Sequence, residues 1–462
     1  MAERRRRGNE LEGNDIAVIG LGASGIAAAR LALNKGGNVY VSDVRTDDSA
    51  SAGGAELRAL GARVELGRHD LERLAGADHV VVSPGIPPDA PVLRALAERG
   101  VRCISEPEFA VRFFAGPLIA ITGTNGKTTT TMLTGHLLEQ AGISAGVGGN
   151  VGGGFAPPAS ELALMEPAPA WYVLELSSFQ LAGIETLSPD IGVVTNLSPD
   201  HLDRYDSVAS YYADKARLFD NATETSRWVL PAGDTEVDAL IGDTPGRRFH
   251  FGDEPRKGTH AFVEEGILTL DVEGREPVLP AADLPLLGRH NRLNALAAVL
   301  TARLAGAPVE ALGEGLRSAR SLPHRMEPVA DVAGVLWVND SKATNVAATR
   351  SALQSLTRPV VLLLGGKDKG EDLTVLRGAM GPSVRVVLAY GAAGPRIAAA
   401  LEGAAEVRLL ECGFADVVEE ARRWARAGDM VLLSPACSSF DMFRNYEERG
   451  RTFASLAGGD AR

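Results

Sequence analysis

The octapeptide Thr122-Gly123-Thr124-Asn125-Gly126-Lys127-Thr128-Thr129 follows an apolar run, Leu118 to Thr122, and opens a stretch of helical periodicity. A glycine-containing turn between a strand and a helix is the setting that a phosphate loop requires. Glycine lets backbone amides approach phosphate oxygens, the helix N-terminus presents the positive end of its dipole, and Lys127 adds a mobile charge. Thr128 is placed to ligate a phosphate-bound Mg²⁺. The common Walker pattern would put its first glycine five residues before Gly126, where this chain has Ile121. An ordinary turn is the competing reading.

Upstream, Phe114 to Pro117 breaks the pattern, and a first block precedes it. That block has strands at Ile16 to Gly20, Val39 to Ser42 and Val80 to Ser83, with a helix between the first two. Gly20-Leu21-Gly22-Ala23-Ser24-Gly25 after the first strand, with Asp43 ending the second, satisfies a dinucleotide-binding fingerprint. Tight strand-to-helix packing also favours glycine, so the fingerprint is a weak signal by itself.

Downstream, strands are expected at Tyr172 to Leu176, Ile191 to Thr195 and Trp228 to Leu230, followed by a helix from about Asn291 to Leu304. The Gly/Pro-rich stretch 146–169 reads as a long loop. After Ser321 a third series has strands at Val335 to Val338, Val360 to Leu364, Val384 to Ala389 and Met430 to Leu433. Short apolar runs alternating with amphipathic stretches predict repeated βα units and an α/β fold. The expected domains are 1–116, 117–321 and 322–462.

The 462 residues are 45% hydrophobic and 23% charged, with net charge -12, the profile of a soluble globular protein. The apolar runs are far shorter than the roughly 18 residues of a membrane helix. Four arginines lie within residues 1–8, but no apolar segment follows, so a secretory signal is not expected. The acidic balance, with no basic face recurring downstream, predicts a disordered tail rather than nucleic-acid binding. Three scattered cysteines, Cys103, Cys412 and Cys437, fit neither a disulfide framework nor a zinc site and point to a reducing cytoplasm.

Further candidates cluster after the strands. Glu175 ends one strand and precedes Ser177-Ser178-Phe179-Gln180, where a Mg²⁺ role is plausible; His201 follows another within Thr195 to Asp203. Parallel sheets put ligand sites at such carboxyl ends. Tyr211 and Lys215 stand four apart on one helical face, and spacing alone favours a solvated surface. Asp340-Ser341-Lys342-Ala343-Thr344-Asn345 joins a strand to a helix, where capping explains one hydroxyl but not the whole cluster.

Together these motifs resemble the Mur ligase family from near Ile16 to near Phe453, with Gly123 to Thr128 as the ATP loop. Leu322-Pro323-His324-Arg325-Met326-Glu327, Asn339 to Asn345 and Leu433 to Ser439 look like the D-glutamate-adding branch. The resemblance implies an N-terminal Rossmann-like domain, a central P-loop ATPase-like domain with a mostly parallel sheet, and a C-terminal Rossmann-like domain. It implies ATP contacts at Gly123, Thr124, Asn125, Gly126, Lys127, Thr128, Thr129, Asn291, Asn294, Arg325 and Asp340. It makes Thr128, Glu175, His201 and Lys215 the Mg²⁺ group, with Lys215 carbamylated by CO₂, and gives Lys127, Glu175, His201 and Lys215 catalytic roles. Ser24, Asp43, Arg45, Ser83, Gly85 and Asn150 would contact the UDP-linked substrate; Val44 departs from a polar pattern there. Lys342, Thr344, Lys369, Ser439 and Tyr446 would lie on the D-glutamate side.

The implied reaction activates the carboxylate of UDP-N-acetylmuramoyl-L-alanine as an acyl phosphate, and the amine of D-glutamate then displaces phosphate. A cytoplasmic monomer is expected, its C-terminal domain closing after ATP binds. The rivals are a folylpolyglutamate synthase or another Mur ligase, disfavoured by Asp340 to Asn345; a nicotinamide oxidoreductase using Gly20 to Gly25; and a non-catalytic nucleotide-binding regulator.

Overall fold

The computed structural model describes residues 11–152, 154–200, 204–354, 356 and 358–458. The arginine run and His201 lie outside the described residues. Two compact units emerge: Met1–Ala281 with Leu293–Arg317, and Ala282–Arg292 with Ser318–Arg462. They carry three sheets with helices against them, giving the three-domain α/β architecture expected from the sequence.

The first sheet of the first unit contains β1 (Asp15–Ile19), β2 (Asn38–Asp43), β3 (Arg63–Leu66), β4 (His79–Val82) and β5 (Cys103–Ser105). Its order is β3-β2-β1-β4-β5, with every pair parallel. The chain moves outward on one side of β1 and then on the other, so the carboxyl ends of β1 and β4 form a topological switch point.

The second sheet contains β6 (Leu118–Thr122), β7 (Ala145–Gly149), β8 (Trp171–Glu175), β9 (Ile191–Val194), β10 (Arg227–Pro231), β11 (Arg247–Phe251), β12 (Thr259–Glu264), β13 (Ile267–Asp271) and β14 (Arg275–Pro280). Its order is β14-β13-β12-β11-β10-β9-β6-β8-β7; only the β12-β13 and β13-β14 pairs are antiparallel. β6 is fully buried and flanked by β8 and β9, so the loop after it opens from an interior strand of the sheet.

One apolar core runs through both sheets, and Phe114 stacks on Tyr172 at 3.7 Å between ring centroids. Two glutamates of the helix Glu106–Val111 add polar ties. Glu108 accepts from the amides of Glu185, Thr186 and Leu187 at 2.9–3.1 Å. Glu106 accepts from the Ser160 amide at 2.5 Å, and burial pushes its carboxyl up to about 7.

The second unit contains β15 (Glu327–Val332), β16 (Val335–Asn339), β17 (Val360–Gly365), β18 (Val384–Tyr390), β19 (Val407–Leu410) and β20 (Met430–Ala436), in the order β15-β16-β20-β17-β18-β19. Only the β15-β16 hairpin is antiparallel. β17 is buried along its whole length, as expected of a strand covered on both faces. Each of its fully buried aliphatic side chains stabilises the unit by roughly 1.5–3 kcal/mol. One core lies on the side of the helix Val346–Gln354, and the other on the side of Phe414–Trp424 and Tyr446–Ala457.

The stretch 146–169 corrects the sequence reading: most of β7 and a short helix, Ala159–Leu162, lie within it. β7 is glycine-rich because its backbone is crowded. A Cβ on Gly148 would meet the Pro157 carbonyl at 2.5 Å, and one on Gly149 the Glu175 carbonyl at 2.3 Å. Among the described residues no helix is long and apolar enough to cross a membrane.

Candidate active site

The phosphate loop is shaped by two glycines that no other residue could replace without movement. Gly123 has φ +138°, and a Cβ there would stand 2.1 Å from Thr195 Oγ1. Gly126 begins the helix Lys127–Gln140 at φ +81°, with a Cβ position 2.2 Å from Asn294 Oδ1. Both conformations are left-handed, where only glycine is unstrained. Ile121, which replaces the first Walker glycine, is a buried residue of β6, so this loop begins later than the common pattern.

Residues after β9 hold the loop from the other side. Thr195 Oγ1 and Asn196 Nδ2 donate to the Asn125 carbonyl at 2.6 and 2.8 Å, while the Asn125 amide donates to Asn196 Oδ1 at 3.0 Å. Thr124 Oγ1 donates to the Ser198 carbonyl at 3.0 Å and accepts from Tyr211 Oη at 3.3 Å. Thr195 and Asn196 were not singled out from sequence; their place immediately after a strand beside the loop was the available signal.

Two lysines converge on one carbonyl. Lys127 Nζ donates to the carbonyls of Gly123 and Thr124 at 3.0 and 2.8 Å, and Lys215 Nζ donates to that of Gly123 at 2.8 Å. Lys215 is 1% exposed, with its Nζ 4.6 Å from the centre of the Tyr211 ring. The solvated-surface reading of this helical face is therefore overturned. Burial, reinforced by the charge of Lys127, lowers the Lys215 pKa to about 6. The amine is thus predominantly neutral at pH 7.

Glu175 ends β8 beside the loop and is buried. Its Oε1 accepts from Asn150 Nδ2 at 3.1 Å, and the Asn150 amide donates to the Glu175 carbonyl at 2.9 Å. Its Oε2 is buried without a hydrogen-bond partner among the described residues. A buried carboxylate oxygen left over in this way suits a cation, and the neighbouring Thr128 is also buried. The described residues contain no cluster of three His, Cys, Asp or Glu groups. The buried Glu175 carboxylate and Thr128 hydroxyl are oxygen donors of the kind that Mg²⁺ takes together with phosphate oxygens. Ser177 and Gln180, which follow Glu175, form a capping box for their own short helix.

On the first sheet, Ser24, Asp43, Arg45, Ser83 and Gly85 gather at carboxyl ends, away from the phosphate loop's own sheet. Asp43 Oδ2 accepts from the Leu21 amide at 2.7 Å and from Arg45 Nη2 at 2.8 Å. Burial pushes this carboxyl up, but the Arg45 guanidinium and the two amides outweigh it, so the pKa is lowered. Ser83 Oγ donates to the Gly20 carbonyl at 3.3 Å, and Val44 is 59% exposed.

In the second unit, Asp340 follows β16 and is buried. Its Oδ1 accepts from the Met326 amide at 3.2 Å and its Oδ2 from Ser434 Oγ at 2.8 Å. Burial pushes its carboxyl up to about 7, moderated by these bonds and by Arg325. Lys342 Nζ lies 4.0 Å from the centre of the Tyr446 ring, and Lys369 Nζ donates to Thr344 Oγ1 at 3.4 Å. Ser439 is buried, and Asn291 Nδ2 donates to the Leu287 carbonyl at 2.8 Å.

Sequence reasoning missed Arg449. Fully buried, it donates to Ser341 Oγ and the Ser341 carbonyl, both at 2.9 Å, and to the carbonyls of Cys437 and Ser438 at 3.2 and 3.3 Å. One guanidinium thereby ties together the two loops that carry Lys342, Thr344 and Ser439. An arginine amid the buried positions of a helix was the signal.

Three family models cover most of the chain: the Mur ligase MurD-like N-terminal domain at 14–105, the Mur ligase middle domain at 121–302, and the Mur ligase glutamate ligase domain at 324–437. The UDP-N-acetylmuramoylalanine--D-glutamate ligase of Acidobacterium capsulatum is 43% identical, over 97% of this chain and 96% of its own. The protein of the same name from Anaeromyxobacter dehalogenans is also 43% identical, over 98% and 99%. In fold, the chain is similar to MurF ligase from Thermotoga maritima in complex with ADP, with TM-score 0.60, 17% identity and coverage of 98% and 96%. It is likewise similar to UDP-N-acetylmuramate-alanine ligase MurC from Thermotoga maritima, with TM-score 0.57, 20% identity and coverage of 96% and 98%. The chain belongs to the Mur ligase family.

Proposed function

We propose that this protein joins D-glutamate to UDP-N-acetylmuramoyl-L-alanine with cleavage of ATP to ADP and phosphate through an acyl phosphate, in the cytoplasm and as a monomer. The observation that carries the reading is the meeting of Lys127 and Lys215 on the Gly123 carbonyl, near a buried carboxylate with one oxygen to spare. Relatives named for this activity, matched over nearly their whole length, support the choice of substrates.

The division of labour follows the domains expected at 1–116, 117–321 and 322–462. The first would hold the UDP moiety through Ser24, Asp43, Arg45, Ser83 and Gly85, with Asn150 beside the muramoyl part. Loop residues 123–129 would cradle the ATP phosphates, with Asn291, Asn294, Arg325 and Asp340 also on the nucleotide. Lys342, Thr344, Lys369, Ser439 and Tyr446 would receive D-glutamate, whose two carboxylates suit lysine and hydroxyl donors.

The alanyl carboxylate attacks the γ-phosphorus of ATP and ADP departs, while Lys127 neutralises the charge that develops on the transferred phosphoryl group. The amine of D-glutamate then attacks the acyl carbon; phosphate leaves and an amide bond remains. Thr128, Glu175, His201 and Lys215 would hold Mg²⁺, which when bound supplies electrostatic neutralisation of the phosphates. The low pKa of Lys215 suits carbamylation: its neutral nitrogen adds to CO₂, loses a proton and becomes a carboxylate-bearing group able to ligate a cation. Excluding water from the acyl phosphate would call for the third domain to close over the second.

The test is phosphate release with ATP, Mg²⁺ and UDP-N-acetylmuramoyl-L-alanine, comparing D-glutamate with L-glutamate, glycine and meso-diaminopimelate. Release and amide product only with D-glutamate are expected. Turnover with another amine would overturn the specificity, and no turnover with any would overturn the activity.

A further inference from the structure

The second unit carries a solvent-open cleft with a cavity of about 370 Å³, whose polar lining includes Arg320, Ser321, His324, Glu327, Asn339 and Arg451. It is separate from the residues assigned above to nucleotide and D-glutamate, none of which lines it. The reason lies in strand geometry. Successive side chains leave a strand on opposite faces. At the end of β16, Asn339 Nδ2 reaches the Gly450 carbonyl at 3.3 Å on the side of the helix Tyr446–Ala457. The next residue, Asp340, turns to Ser434, whose hydroxyl also reaches Thr349 of the helix Val346–Gln354 at 3.2 Å. The cavity takes the Asn339 side.

Its lining has binding capacity left over. Ser321 Oγ is buried with no hydrogen-bond partner among the described residues. Arg320 and Arg451 are exposed, and neither stands within ion-pair distance of a described carboxylate. Glu327 also lines the cavity, where its Oε2 is engaged by two other lining residues, accepting from the His324 amide at 2.8 Å and from Asn339 Nδ2 at 3.1 Å. His324 is held in place on the same network, 2.9 Å from Asn339 Nδ2. Guanidinium forks match the oxygens of phosphate and carboxylate groups, and the volume falls within the range of small-molecule sites.

We infer that this cavity binds a small organic anion of two or three charges, a phosphate monoester or a di- or tricarboxylate, held by Arg320 and Arg451 with Ser321 donating a hydrogen bond. The occupant bridges residues 319–323, by which the chain enters the third sheet's domain, and the helix Tyr446–Ala457. The site is independent of the activity proposed above.

Calorimetric titration of the whole chain with ribose 5-phosphate and, separately, with citrate tests this and distinguishes the two anion classes. At least one is expected to bind one-to-one, equally well with and without saturating ADP and Mg²⁺. Affinity should fall tenfold or more in R320A/R451A and be partly restored in R320K/R451K. Both arginines are exposed, so an unchanged melting temperature will separate lost binding from lost folding. The inference is overturned if neither probe binds, if R320A/R451A binds like the parent, or if ADP abolishes binding. Absence of ligase turnover would leave this measurement unaffected and would count only against the proposed activity.

Discussion

The turn Gly20–Gly25 after β1 and the turn Gly123–Lys127 after β6 occupy equivalent places: each leaves the carboxyl end of an interior parallel strand and enters a helix. Their glycines answer to different forces. At Gly25 a Cβ would lie 1.9 Å from the Gly20 carbonyl oxygen and 2.7 Å from Ser83 Oγ, so the residue allows the helix to press onto the sheet. At Gly123 and Gly126 the left-handed backbone aims the loop, and around it stand two lysines and a carboxylate oxygen with no partner among the described residues. The acid beside the first turn, Asp43 at the end of β2, is paired with Arg45. A glycine fingerprint reports close approach; the buried lysine and carboxylate gathered beside the second loop report chemistry.

The comparison breaks hardest at Lys127. Lys127→Met should lower kcat by about 10³-fold, the scale of losing a preorganised charge at a transition state, with the melting temperature little changed. Phosphate release in single turnover checks this, and activity within tenfold of the parent would mean that the loop's charge is not used on the transferred phosphoryl group.

Lys215→Met should cost about 10²-fold in turnover, on the same electrostatic scale, and it carries a second signature in stability. The folded pKa of about 6 lies below the 10.5 of an ordinary lysine, so between those values the unfolded chain holds the extra proton. The lysine's contribution to stability therefore rises with pH across that window, and its burial is most unfavourable at and below about pH 6. In CO₂-free buffer, Lys215→Met should be more stable than the parent at pH 6, and the gap should narrow toward pH 10. Denaturant unfolding of both proteins across this range decides it; a gap independent of pH would show that Lys215 keeps its charge in the fold.

These two lysines also show how far sequence could be read. The βα rhythm and the loop around Lys127 are local patterns, and the central strands they predict are present. Lys215 required tertiary information, because spacing alone made its helical face look solvated, whereas the fold buries it against Tyr211 and the Gly123 carbonyl. β7 escaped detection because its glycines, which permit close approach, imitate a loop. The β11–β14 extension escaped because each of its strands carries a charged residue, and β14 carries prolines as well. Arg449 acts on carbonyls of two distant loops, a role with no trace in neighbouring residues.

Gly25→Ala should do the opposite of Lys127→Met. Forcing a methyl group against the Gly20 carbonyl should destabilise the fold by about 1–3 kcal/mol, the usual range for overpacking. The KM for ATP should stay unchanged, because the second sheet's loop is untouched. Denaturant unfolding and ATP kinetics read the two halves of this expectation. An altered ATP KM with intact stability would mean that the two turns are coupled and that the contrast between them is false.

Gly22→Ala should have the smallest effect and discriminates most finely. Gly22 caps the helix Ala23–Asn34 in an extended conformation, φ -81° and ψ 177°, with nothing within 4 Å of a Cβ position. Alanine can adopt that backbone, and the poorer cap should cost under about 1 kcal/mol. Packing therefore gives no reason for glycine here, in contrast to Gly25 three residues later. A remaining reason is a ligand that comes close to the backbone, as a diphosphate does at such a turn. The KM for UDP-N-acetylmuramoyl-L-alanine should then rise several-fold while kcat and the KM for ATP hold. If all three constants are unchanged, the substrate approaches the switch point through Ser83 and Gly85 on the β4 side, and the first turn serves packing alone.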